Sequence, residues 1–88
     1  MGCHLTFQIQ VPPAELLSRI QKLAQEYEGQ FQGDEKSGWV ALNFILGSIE
    51  GDYSIQGDKL YLNITRKPFL VGCETISTMI TEHVPVLA

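Results

Sequence analysis

The chain has 88 residues, 44% of them hydrophobic and 18% charged, with a formal net charge of −4. That length and composition describe one globular domain, 1–88, large enough to fold without staples, and exclude a disordered segment. The six basic residues are scattered, only Arg66 and Lys67 being adjacent, which excludes a generic nucleic-acid binder with its clustered basic surface.

Leu5, Phe7, Ile9 and Val11 alternate with Thr6, Gln8 and Gln10, the period of a half-buried strand. Pro12-Pro13 ends it, since proline cannot donate to a ladder and suits the first turn of a helix. Leu16, Leu17, Ile20, Leu23, Ala24 and Tyr27 then form one apolar helical stripe. Glu15 precedes Arg19 by four residues, the favourable order for an ion pair. Gly29 supplies the stop.

Phe31 sits in a short strand, and Gly33-Asp34-Glu35-Lys36-Ser37-Gly38 reads as a polar, glycine-bounded hairpin loop. Trp39 to Leu46 is a strand with apolar residues on both faces, as in a central strand or one whose outer face meets a partner. Gly47 marks the next turn. Ile49, Gly51, Tyr53 and Ile55 alternate with Ser48, Glu50, Asp52 and Ser54, and Gln56-Gly57-Asp58-Lys59 turns the chain, Gly57 supplying positive φ. Leu60, Leu62 and Ile64 restart the alternation.

In the last element Cys73, Ile76, Met79, Ile80 and His83 follow helical spacing. Thr75, Ile76, Thr78, Ile80 and Thr81 are β-branched and oppose it. Burying the apolar stripe outweighs those few tenths of a kcal/mol per residue, so a helix ended by Pro85 is expected. The order is β-α-β-β-β-β-α. It predicts an α+β domain of two layers: an antiparallel sheet of about five strands with two helices on one face.

This order resembles the polyhydroxyalkanoic acid system family, the polyhydroxyalkanoate granule region proteins, from Pro13 to about His83. Its members have an amphipathic first helix and a short strand ending near Gly-Asp, matched by Gly33-Asp34. A glycine-bounded turn, an alternating strand pair and a terminal amphipathic helix follow. Gly47-x-Ile49-x-Gly51 and the Lys67-Pro68-Phe69-Leu70 lead-in to the last helix are the closest local matches. The chain departs in its less charged helices and in the full strand before the first of them. The resemblance implies a granule-associated role and no catalytic residues. More distantly the order is similar to a miniature helix-grip domain of the Bet v 1 and START-related kind, with a sheet wrapped on a helix over a small apolar cavity. Within the sheet, Gly51 is expected to let the strand bend or a helix approach.

Catalytic chemistry is not spelled out. Cys3 and Cys73 are too few and too far apart for a disulfide framework or a zinc site, and read as buried, reduced, small apolar residues. Cys73 and His83 are ten residues apart on one helix, about 15 Å along its axis, and Cys3 and His4 point to opposite faces of a strand. His83 reads as a helix-terminal cation or capping side chain. Glu50 with Asp52, and Asp34 with Glu35, fall on solvent faces, where acid–base pairs are not desolvated. No glycine-rich phosphate loop opens a helix. The reading is no enzyme, no cofactor and no metal.

Met1-Gly2-Cys3-His4-Leu5-Thr6 fits the minimal N-myristoylation pattern, with Cys3 as a second acylation site, although the same residues read as the start of a strand. No run is long enough for a membrane span and no signal pattern opens the chain, so a soluble cytoplasmic protein is expected.

Two functions follow. The first is a non-enzymatic binding module that offers its outer sheet face to a protein, a second copy of itself being the expected partner, through Trp39, Ile45 and Tyr61, with Ala41 in the same patch. The second is a carrier for a small apolar ligand in a pocket between sheet and helices, lined by Leu17, Ile20, Tyr53, Leu62, Ile76 and Ile80.

Overall fold

The structure is a computed structural model that describes residues 2–44 and 47–88. In chain order the elements are β1 (Cys3–Gln8), α1 (Pro13–Glu26), β2 (Gln30–Gly33), β3 (Ser37–Phe44), β4 (Gly47–Gln56), β5 (Lys59–Arg66) and α2 (Cys73–His83). The five strands form one antiparallel sheet in the order β1-β5-β4-β3-β2, with both helices on one face. This is the α+β architecture that the alternation and the helical stripes predict. In α2 periodicity prevails over propensity: Ile76 is buried to 1% exposure, and that burial offsets its β-branching.

Register sets the two faces, because residues directly opposite in an antiparallel pair share a face. Gly33, Gly38, Tyr53, Leu62 and Leu5 form one row across the inner face, and Phe31, Val40, Gly51, Ile64 and Cys3 form the next. Leu16 and Ile76 come down on these rows from the helices and complete the core. Among the described residues no polar or charged residue is buried.

Four local features differ from the expectations. Helix α1 ends with Glu28, not a glycine, in the left-handed region (φ 52°), a conformation that costs a non-glycine residue about 1–2 kcal/mol. Gly29 is needed for another reason: a Cβ there would collide with the Ala41 carbonyl of β3. The hairpin loop is confined to residues 34–36, since Gly33 and Gly38 are paired with each other in β2 and β3. Their missing side chains make room for Tyr53, whose ring lies 2.6 Å from where a Gly38 Cβ would stand. Gly51 sits at a register shift between β4 and β5, and a Cβ there would press on the Asn63 carbonyl, not on a helix. Finally, the chain after α2 is part of the fold. Val84 and Leu87 are buried, and Gln8 and Ala88 exchange backbone hydrogen bonds at 2.8 and 3.0 Å, covering part of the β1 edge.

The largest correction concerns the cysteines. Cys3 and Cys73 are bonded as a disulfide, with Cα atoms 5.8 Å apart and a sequence separation of 70. Their reduced, separately buried state was the wrong expectation. The reason is topological: β1 lies beside β5, and the short connection from β5 brings the start of α2 back over the Cys3 end of β1. The bond also removes Cys3 as an acylation site. Closing a loop this long restricts the unfolded chain by about 4 kcal/mol. The Cys3→Ser/Cys73→Ser variant is therefore expected to lose about that much stability in urea unfolding followed by Trp39 fluorescence. An unchanged midpoint contradicts a structural role for the bond.

Candidate functional site

Helix α1 and helix α2 do not seal the inner face. Between them and the sheet lies an apolar cleft of about 70 Å³, partly open to solvent. Ile20 and Leu23 of α1, Ile76, Met79 and Ile80 of α2, and Leu42, Ile49, Tyr53 and Leu62 of the sheet contribute to its wall. The sequence dictates this placement. The wall residues of β4 and β5 are the inward half of each alternation, and those of α2 recur at three and four residues.

Of the six residues expected to line a pocket, Ile20, Tyr53, Leu62, Ile76 and Ile80 do line the cleft, whereas Leu17 is half-buried and packs against the core beside it. Leu23, Leu42, Ile49 and Met79 were not singled out. Leu42 was hidden by the apolar residues on both faces of its strand. Leu23, Ile49 and Met79 belonged to the apolar stripes, and that periodicity was the signal for them.

One end of the cleft is closed by a polar latch. The Tyr27 hydroxyl lies 3.1 Å from His83 Nε2, with the rings edge-on at 5.5 Å. This joins the C-terminal end of α2 to that of α1. His83 is thus a cross-helix partner, beyond the helix-terminal role its position predicts. Alongside runs a polar hollow of about 390 Å³ that shares Leu23 and His83 with the cleft. Its other walls are Glu15, Ser18, Arg19, Lys22 and Glu26, which recur at three and four residues as one stripe of α1.

Tyr53 anchors the far side. Its ring stacks on Phe31 at 5.9 Å and 17°, and its hydroxyl donates to the Asp34 carbonyl at 2.8 Å. Asp34 in turn shapes the β2–β3 loop: its Oδ1 accepts from the backbone N–H groups of Ser37 and Lys36 at 3.0 and 2.8 Å. Those two bonds, Ser37 first, hold the Asp34 carboxyl below its ordinary pKa.

The outer face carries the other predicted residues. Trp39 shares a row with Gln32, Asp52, Asn63 and His4, and Tyr61 shares the adjacent row with Ser37, Ser54 and Thr6. Trp39 is half-buried and Tyr61 is 39% exposed. Strand β4, with Asp52 and Ser54 outward, runs between them, so the two aromatic rings stand in a polar field. Ile45 lies outside the described residues. Glu50 pairs with Arg66 at 3.5 Å on this face.

Among the described residues no three His, Cys, Asp or Glu side chains gather as metal ligands, and no helix is long and apolar enough to cross a membrane. No family model matches the chain, and no curated protein or solved structure matches it. The resemblance to the polyhydroxyalkanoic acid system family rests on the residues quoted for it alone.

Tyr53 also carries a pH signature. Desolvation by burial, with the Asp34 charge adding to it, pushes its phenol from 10.0 up to about 12. The folded state holds this proton more tightly than the unfolded chain does. Its contribution to stability is therefore complete below pH 10 and is lost as the pH rises through about 12. Between those values the wild type is expected to lose stability more steeply than Tyr53→Phe in denaturant titrations. Parallel pH profiles contradict the burial of that phenol.

Proposed function

We propose that this domain is a non-enzymatic carrier whose apolar cleft holds the hydrocarbon part of a small ligand. The observation that carries the reading is a predominantly apolar cleft of about 70 Å³ at the centre of a domain of only 88 residues. A domain this small has little core volume to spare, and an unfilled apolar space forfeits dispersion contacts on its walls. A short alkyl group or small ring restores them. The polar hollow next to it, with Arg19, Lys22 and His83, offers a place for the ligand's polar end. An amphiphile with a short tail fits this pairing of spaces.

The disulfide also bears on where such a carrier works. Disulfides persist in oxidising compartments and are rare in the cytosol, so we favour an exported or otherwise oxidising setting over the cytoplasm. The cytoplasmic expectation rested on the lack of a membrane-length run and of a signal pattern, and the Cys3–Cys73 bond weighs against it.

A second reading, self-association through Trp39 and Tyr61, is favoured by one observation: the outer sheet face carries neither helix and leaves Tyr61 exposed. The polar residues around both rings make it the weaker of the two.

Hexanol serves as a probe of the cleft. Titration followed by methyl NMR is expected to shift Leu42, Ile49, Met79 and Ile80. An Ile80→Trp substitution, which fills the space, is expected to weaken binding roughly tenfold or more. Shifts confined to the outer face, or equal binding by Ile80→Trp, overturn the proposal.

A further inference from the structure

Among the described residues, the most exposed large apolar side chains belong to neither face of the sheet. Phe69 and Leu70 are 93% and 91% exposed, side by side at the tip of the turn between β5 and α2. The lead-in Lys67-Pro68-Phe69-Leu70 is thus a projecting turn and not the beginning of a helix. Isolated exposed hydrophobic residues are ordinary, but two adjacent ones held away from the core are not.

The turn is built to keep them out. Val71 N–H donates to the Pro68 carbonyl at 3.1 Å, and Lys67 Nζ donates to the Val71 carbonyl at 2.8 Å. Val71 itself folds inward against the core. On one side the turn is fixed by the ladder of β5, which runs to Arg66, and on the other by the Cys3–Cys73 bond. These ties hold the backbone of the turn in the conformation that turns Phe69 and Leu70 outward. Their presentation is preorganised, so the entropy cost of ordering them is met before any contact forms.

We infer that this turn inserts into the surface of an anionic phospholipid membrane. The tip is convex and small. Two side chains fall well short of the roughly 800 Å² per partner that a stable protein interface needs, and at a lipid surface they give a shallow, reversible insertion to which a basic pair adds a second signal. The only adjacent cations in the chain, Arg66 and Lys67, stand at its base. Arg66 is 74% exposed, and its 3.5 Å contact with Glu50 is an open ion pair that a lipid phosphate can replace. Lys67 Nζ uses one donor on Val71 and keeps two. Glu50 and Glu74, the latter in the first turn of α2, limit the local positive charge. The apolar tip must therefore supply most of the attraction. This inference is independent of the cleft.

Sedimentation with vesicles of phosphatidylcholine containing a quarter phosphatidylglycerol tests it. The wild type is expected to partition onto these vesicles, and more weakly onto phosphatidylcholine alone. Phe69→Ser/Leu70→Ser is expected to lose partitioning by roughly tenfold or more. Because both side chains are exposed, that variant should keep the wild-type circular dichroism and unfolding midpoint. Failure of the wild type to partition, or equal partitioning by the serine variant, overturns the inference. Equal binding to both kinds of vesicle overturns the anionic-lipid assignment. A lipid-free dimer lost in the serine variant assigns the tip to self-association instead.

Discussion

Everything on the inner side of this domain depends on how α2 is held. One short helix with one fully buried residue, Ile76, has limited packing of its own to keep it on a five-stranded sheet. It is fastened at both ends instead: covalently to β1 through Cys3–Cys73, and at its last turn to α1 through Tyr27 and His83. Between those points the helix bridges the sheet without pressing onto it everywhere, and the cleft is the space left beneath. The tail after the helix adds a third tie, with Val84 and Leu87 buried and Ala88 bonded to β1. A domain of this size has a total stability on the order of 4–13 kcal/mol, so a covalent tie across nearly the whole chain is a large part of what keeps the two layers together.

The same bond links the two surfaces argued to be functional. It fixes the start of α2, which shapes the cleft, and it fixes the end of the turn that presents Phe69 and Leu70. Local stability is unevenly distributed in proteins, and sites that must admit ligands draw on its less stable parts. Here the tethered but sparsely packed α2 is that part, while the sheet below it is continuous.

What could be read from the sequence was whatever depends on neighbours along the chain. Ile49 to Ile55 alternates because its strand has one wet face, and Ile76 to His83 repeats at helical spacing because its helix has one dry stripe. Both patterns survive in the structure, and with them most of the cleft wall, since that wall is simply the dry side of each element. What could not be read depends on register. Cys3 meets Cys73 only because β1 pairs with β5, and Tyr27 meets His83 across 56 residues of chain. Gly33 and Gly38 looked like loop punctuation, but the ring of Tyr53, from a different strand, needs their missing side chains. Glu28 takes the left-handed position, while Gly29 next to it makes a close approach to β3. Pro85 signalled the end of a helix correctly and concealed the buried tail beyond it. Phe69 and Leu70 read as part of an apolar lead-in, and nothing local marks them as the residues left outside.

Occupancy of the cleft by a small ligand is read out in one step by native mass spectrometry of the protein purified from its natural host. A single chain carrying a reproducible small-molecule mass is expected, with the intact chain two hydrogen atoms lighter than its reduced form. A bare dimer that dissociates when Trp39 or Tyr61 is replaced would contradict it and place the function on the outer face of the sheet.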